Sequence, residues 1–333
     1  MRSVPRVHVI GEFGQGALAG YYEKAFGRLG CETSRFDSFH RPPKNQLLRS
    51  VRRAWRRARW RGDAKRCLDE STRRAPDLVL LVKTPFLRPR DIQALRQVAP
   101  VAMVYPDDPW THWAQSGDVL NVLAECDHVY IWDRRLVERL RVAGVSGARY
   151  LPFGFDPDDH AMIHAPVRRV SRLVFAGQVY PKRIEWLRAL EGLAVSVYGH
   201  QWKQRWFGRQ STVRVDNSTP MGGAARALHQ ASGIGLNILH DVNANAHNMR
   251  TFEIPAAGAL MVSERTDDIS AWFPDDEMAL LARAPDEFRL QCERALRQPQ
   301  QAARIAAMGH QASKAHSYTC RAAEILDNAG LRQ

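Results

Sequence analysis

Asp107 and Asp108 stand side by side between Pro106 and Pro109, directly after the apolar run Val101 to Tyr105. Two carboxylates at the end of a strand can take a proton from a hydroxyl, hold a sugar hydroxyl or, as a pair, bind a divalent cation. Asp beside Pro also builds turns, so a structural role stands beside the chemical one. A second stretch, Gly11 to Gly16, follows the first apolar run. Glu12 offers a further carboxylate there, and Gly14 and Gly16 let backbone N–H groups approach a phosphate or an acceptor closely. Its G-x-x-G-x-G spacing differs from the G-x-G-x-x-G dinucleotide fingerprint, so a nicotinamide site is not expected, and a tight strand-to-helix turn is the alternative.

The second half of the chain holds a denser cluster. Gly177 closes a short apolar run, and Pro181 suits the first position of a helix, which puts Lys182 and Arg183 in its first turn. Cations there oppose the helix dipole. An anionic ligand such as a diphosphate would give them a purpose, with Arg183 able to fork two oxygens, whereas a solvated basic pair is the plain alternative. Further on come Asn245, Asn248, Arg250, Glu253 and Gly258. Arg250 and Glu253 lie one helical turn apart and could simply pair. His240 and His247 flank the same loop, but no third ligand has diagnostic spacing, so they read as loop histidines and no metal site is expected. No cofactor is implied.

Alternating short apolar runs and helical patterns must position these residues. The strands expected in the first half are Val7 to Ile10, Leu78 to Val82, Val101 to Tyr105, His128 to Trp132 and Arg149 to Phe153. Between them, Leu18 to Leu29, Arg90 to Val98 and Arg134 to Ala143 read as helices. The second half repeats the rhythm with strands at Leu173 to Ala176, Val195 to Tyr198, Gly233 to Ile238, Ala259 to Val262 and Met278 to Leu281, then helix from Pro285 to Ala329. The expected fold class is α/β, two doubly wound Rossmann-like domains facing a cleft, with C-terminal helices. The turn-rich stretch 153–166 reads as the linker between domains 1–152 and 167–316. The terminal 317–333 is expected to be a helix packing back on the first domain.

Length and composition agree: 333 residues with 45% hydrophobic and 25% charged residues suit two globular domains and exclude disorder, collagen and coiled coil. The five cysteines are scattered and never spaced C-x-x-C, which argues against a disulfide framework. No apolar run is long enough to span a membrane or serve as a signal peptide, so a cytoplasmic protein is expected.

The basic balance is local. From Arg41 to Arg74 thirteen Lys or Arg face three acids, giving +10 of the formal +13. On a helix over about 45–61, Leu47, Leu48, Val51, Ala54, Trp55 and Ala58 form one stripe, with Arg49, Arg52, Arg53 and Arg56 outside it. Such a helix suits an anionic membrane surface, with Trp55 at the boundary. It equally suits packing on its own domain, and nucleic acid is not expected because no stacking array or recognition motif accompanies the arginines.

The chain from about residue 100 onward resembles the CgeB-like glycosyltransferases, a branch of the GT-B enzymes that use nucleotide sugars, and its second domain is similar to the group 1 type C-terminal domain. The likeness rests on Asn248 to Gly258, Gly177 to Arg183, Leu151 to Asp156 and His316 to Thr319. It implies a donor nucleotide on the second domain and an acceptor on the first. On that pattern Glu253 takes the ribose hydroxyls, the Gly258 turn packs below it, and Arg183 and Arg250 face the diphosphate. Retaining GT-B enzymes carry a second glutamate earlier in this motif, and the matching position here is Asn245. The resemblance therefore leaves the stereochemistry open; inversion would need a base from Glu12, Asp107 or Asp108, with the arginines and a helix N-terminus stabilising the leaving group in place of a metal.

The leading expectation is a transferase that moves a sugar from a nucleotide diphosphate sugar to a lipid-linked, polysaccharide or other cell-envelope acceptor, peripheral on the inner face of the membrane. A sugar-nucleotide epimerase of the same fold and a non-catalytic protein that binds anionic polymers or membrane surfaces are the alternatives.

Overall fold

The computed structural model describes residues 4–38, 49–111, 118–164, 170, 172–243 and 245–332; side chains are described for these except 49–58 and 61. The chain divides into two compact units, Met1–Pro152 with Tyr318–Gln333, and Phe153–Ser317.

The first unit runs β1 (Arg6–Gly11), α1 (Leu18–Arg28), β2 (Glu32–Asp37), α2 (Arg49–Arg74), β3 (Leu78–Val82), α3 (Pro89–Arg96), β4 (Val101–Tyr105), α4 (Val119–Ala124), β5 (His128–Ile131), α5 (Arg134–Val142) and β6 (Ala148–Tyr150). All pairings are parallel, in the order β2-β1-β3-β4-β5-β6. The central strands β3 and β4, Leu-Val-Leu-Leu-Val and Val-Ala-Met-Val-Tyr, are buried at every position, as strands covered on both faces must be. From β1 the chain goes first to β2 on one side and then to β3 on the other. A doubly wound sheet opens a ligand crevice at such a reversal, beyond the carboxyl ends of β1 and β3.

The second unit contains α6 (Pro157–His160), β7 (Leu173–Ala176), α7 (Pro181–Arg188), β8 (Val195–Tyr198), β9 (Val213–Asp216), α8 (Gly223–Ser232), β10 (Ile234–Asn237), α9 (Arg250–Ala256), β11 (Leu260–Glu264), α10 (Asp267–Trp272), β12 (Leu280–Ala282), α11 (Pro285–Arg297) and α12 (Pro299–Ser313). Its sheet is again parallel, ordered β12-β11-β10-β7-β8-β9, with the reversal between β7 and β10. On one face Phe175, Trp186, Trp202 and Phe288 join the aliphatic core. Burying each such ring contributes about 2 kcal/mol or more.

The last helix, α13 (Tyr318–Asn328), belongs to the first unit. The fully buried Tyr318 stacks on Tyr21 at 5.3 Å and tilts against Tyr22 at 5.4 Å, and Arg321 donates from Nε to the Pro152 carbonyl at 3.1 Å.

Several elements differ from the sequence expectation. β2 and β9 were not expected: both are edge strands with a single neighbour, and their sequences Glu-Thr-Ser-Arg-Phe-Asp and Val-Arg-Val-Asp lack the apolar run of a central strand. The C-terminal helix is broken before Pro299 and again at Ser317 rather than continuous. The basic helix, described from Arg49 onward, runs to Arg74, beyond the expected 61. Asp63, Ala64, Cys67 and Ser71 are buried at helical spacing, so its C-terminal half packs on the unit. The backbone at Arg49, Arg52, Arg53, Trp55 and Arg56 is helical, while their side chains, and residues 45–48, lie outside the described set.

The loops after β7 and β8 approach closely. Trp202 Nε1 donates to the Gly177 carbonyl at 2.8 Å, and a Cβ on Gly199, whose φ is +149°, would lie 2.1 Å from that carbonyl oxygen. Gly199→Ala is therefore expected to cost about 2 kcal/mol or more. Urea unfolding would show it as a lower midpoint at unchanged slope.

Candidate functional site

The site is built where the second sheet reverses. Gly177 ends β7, with its N–H spent on the Tyr198 carbonyl and its own carbonyl taken by Trp202. Pro181 opens α7, and Arg183 on its first turn reaches across the reversal, donating from Nε to Ile238 O beyond β10 at 2.8 Å and from Nη1 to Gln178 O at 2.8 Å. Its guanidinium lies over the Tyr180 and Phe175 rings at 4.9 and 5.4 Å. Gly177 packs tightly there, since a Cβ would come within 3.2 Å of Arg183 Nη1 and 3.1 Å of the Phe175 ring. Arg183 is only 6% exposed and has no carboxylate partner among the described residues. Burial, then the nearby Arg250, push its pKa down to about 9, so it stays charged at neutral pH but at a cost that an anion would relieve.

Lys182 has a different task. Its Nζ is 2.6 Å from Glu264 Oε1 and 3.6 Å from Asp241, and Glu264 also accepts from Leu239 N–H. The lysine thus ties α7 to the end of β11, with its charge neutralised inside the protein.

A buried polar network sets the start of α9. Asn237, at the end of β10, donates from Nδ2 to Ser263 Oγ at 3.2 Å and to Thr251 Oγ1 at 3.3 Å. Asn248 donates to Asn237 Oδ1 at 2.9 Å and accepts from Thr251 N–H at 3.1 Å. Both ends of the Asn248 amide thus bond within the protein and orient the start of α9, with one N–H left over. A satisfied network of this kind holds one geometry. The two residues it presents are Arg250, half-buried and with no hydrogen-bond or ion-pair partner among the described residues, and Glu253, whose Oε1 lies 3.5 Å from His160 Nε2. The alternative of an Arg250–Glu253 ion pair is not what the structure shows: the two side chains do not pair. Below them Gly258 turns at φ +74° against Met162, where a Cβ would meet Sδ at 2.5 Å.

Asn245 is exposed in a left-handed turn, φ +65°, a conformation asparagine tolerates. His247 is fully buried rather than a solvated loop histidine: Nε2 accepts from Phe153 N–H at 3.1 Å and Nδ1 faces Asp268 at 2.9 Å. His240 accepts from Val242 N–H and meets Tyr180 edge-on at 3.9 Å. Among the described residues no three His, Cys, Asp or Glu side chains cluster in a way that could hold a metal.

In the first unit, Gly14 is exposed and accepts from Ala17 N–H, Gly16 turns at φ +74°, and Glu12 is exposed beyond the end of β1. Asp107, beyond β4, is ion-paired with Lys83, which follows β3 in the left-handed region at φ +44°. Asp108 accepts from Trp110 N–H at 2.9 Å and so shapes the turn. Next to Lys83, Thr84 is 4% exposed and its hydroxyl has no partner among the described residues. The composition and periodicity of the sequence carry no signal for Lys83, Trp202, His160 or Asn237; only the strand order brings them to these positions.

His229 on α8 is buried beside the site, and burial, then Arg250 and His160, push its pKa down to about 3. The unfolded chain binds a proton near pH 6.5 and the folded one does not, so this group's contribution is complete above that pH and is lost as pH falls towards 3. Wild-type stability should drop by up to about 1.4 kcal/mol per pH unit more steeply than that of His229→Gln in this window, as urea titrations at several pH values would show.

The glycosyl transferase-like family matches residues 182–327, which include Arg183, Arg250, Glu253 and His316. No curated protein matches the sequence. Among solved structures, sucrose-phosphate synthase from Thermosynechococcus elongatus superposes with a TM-score of 0.68 at 12% identity over 97% of this chain and 98% of that one. HepE from Anabaena, in complex with UDP and glucose, gives 0.63 at 12% over 98% and 99%. A glycosyltransferase from Rickettsia africae gives 0.63 at 9% over 98% of each chain. With the two parallel six-stranded sheets and the family match taken together, the chain is a transferase enzyme of the GT-B glycosyltransferase fold.

Proposed function

We propose that this chain moves a sugar from a nucleotide diphosphate sugar, bound by the second unit, to a glycan or lipid-linked cell-envelope acceptor bound by the first. The observation that carries the reading is the pair of cations at the β7–β10 reversal, Arg183 and Arg250, neither neutralised by a carboxylate among the described residues. A diphosphate supplies the missing charge, and a leaving diphosphate gains more as its charge grows. Glu253, on the same face of α9 as Arg250, is suited to accept two vicinal hydroxyls of a ribose. The HepE structures hold UDP and UDP-glucose, which makes uridine nucleotides the first donors to test.

For the acceptor, Asp107 is the proposed base, since it lies with Lys83 at the ends of β3 and β4, where a strained lysine backbone and a Thr84 hydroxyl with no partner among the described residues suit a polar ligand. Asp108 is committed to its turn and Glu12 stands exposed. The donor site works without a metal in this proposal, with the arginines in its place. No helix among the described residues is long and apolar enough to cross a membrane. The basic helix α2 is proposed to rest on anionic lipid at the inner face.

Thermal shift against UDP, GDP, CDP, dTDP and their sugars should give stabilisation by one nucleotide, lost in Glu253→Ala, because a ligand that binds only the folded state raises its stability. Arg250→Ala should lower kcat/KM on the donor so found by about 100-fold or more. No shift with any nucleotide would sink the proposal that the second unit binds a nucleotide diphosphate sugar. Asp107→Asn should lower kcat by about 100-fold, with Glu12→Gln near wild type; full rates for Asp107→Asn would move the base elsewhere.

A further inference from the structure

The segment that opens the second unit carries a residue that reaches the candidate ribose carboxylate. Asp156 is fully buried and its Oδ1 accepts from the N–H groups of Asp158 and Asp159, capping α6, while Pro157 starts the turn. At the end of that single turn is His160, 3% exposed. Its Nδ1 accepts the Asp156 N–H at 3.1 Å. A neutral imidazole that accepts at Nδ1 carries its proton on Nε2, and Nε2 is the atom that lies 3.5 Å from Glu253 Oε1. The turn is anchored independently of this contact: Met162 N–H donates to Ala256 O at 2.8 Å, Arg226 to Asp158 O at 2.7 Å, and Phe155 N–H to His316 O at 3.2 Å. The ring is thus held from its own side, independently of Glu253.

We infer that His160 is a positioning residue for nucleotide-sugar recognition: its Nε2–H holds one carboxylate oxygen of Glu253, so that the other is turned to accept the vicinal hydroxyls of a ribose. Arg250, one helical turn before Glu253, would otherwise compete for the carboxylate, and a Glu253 drawn to it would cancel the charge that the diphosphate needs. His160 therefore separates the two functions of α9, the carboxylate for hydroxyls and the guanidinium for phosphate. The inference rests on the donor reading given above and adds to it the residue that fixes the site's preference for a sugar with both hydroxyls present.

The test compares UDP, GDP, CDP and ADP, each against its 2′,3′-dideoxy counterpart, by calorimetry on the wild type, His160→Ala and His160→Gln. The wild type should prefer the ribonucleotide. That preference should fall by about tenfold in His160→Ala and largely return in His160→Gln, whose amide can donate in place of Nε2–H, while affinity for inorganic pyrophosphate stays unchanged. A preference that persists within twofold in His160→Ala overturns the inference with the donor reading intact. Should no nucleotide bind the wild type, the donor reading fails and the role in recognition fails with it. Imidazole 15N resonances decide the geometry separately: an Nε2-protonated ring that shifts in Glu253→Gln supports it, and a proton on Nδ1 overturns it even if His160→Ala does not fold.

Discussion

A buried guanidinium that bonds two backbone carbonyls and, among the described residues, forms no ion pair with a carboxylate organises the second unit. Arg183 bridges the loops that follow β7 and β10, the strands between which the sheet changes direction, and it does so with Nε and Nη1 alone. Those bonds satisfy part of its donor capacity and none of its charge. Placing such a group in a low-dielectric position is costly, and Arg250 raises the cost. The same arrangement leaves an unneutralised positive field at the carboxyl end of a parallel sheet, which is the electrostatic form of an anion site.

The surrounding structure keeps that field from collapsing on the protein's own acids. Glu264 is occupied by Lys182 and by the Leu239 N–H, so it does not reach Arg183 as an ion pair. Glu253 faces His160 instead of Arg250. The Asn237, Asn248, Thr251 and Ser263 network fixes the first turn of α9, and with it the directions of Arg250 and Glu253. Each of these interactions is modest, about 1 kcal/mol in net terms. Their combined effect is to hold two opposite charges one helical turn apart without letting them meet.

The first unit shows a parallel logic with less charge. Its sheet reverses between β1 and β3, and a Cβ on Gly11 would meet Ala19 Cβ at 2.9 Å and Val82 O at 3.0 Å, so the glycine loop and the end of β3 are in close approach. Lys83 accepts a left-handed backbone there to reach Asp107. Strain of this kind persists where the surroundings demand it.

What the sequence determined by itself were the features written in local pattern. Continuous apolar runs such as Leu78 to Val82 identify central strands because both faces are buried, and Gly177, Pro181 and Gly258 mark turns because their backbones restrict or permit what others cannot. Arg183, Arg250 and Glu253 stood out by type and spacing. The edge strands β2 and β9 were silent, since a strand with one neighbour and one wet side needs no apolar run. The tertiary structure alone decided how each polar group is used. Asn248 and Lys182 stood out by residue type, and only the fold shows that they bond to Asn237 and Glu264, partners from other strand ends. His160 carried no local signal, because its meaning comes from a carboxylate distant in sequence that only the packing of α6 against α9 brings within reach. Local pattern reports burial and backbone freedom; pairing of polar groups depends on which strands become neighbours, and that is settled by the fold as a whole.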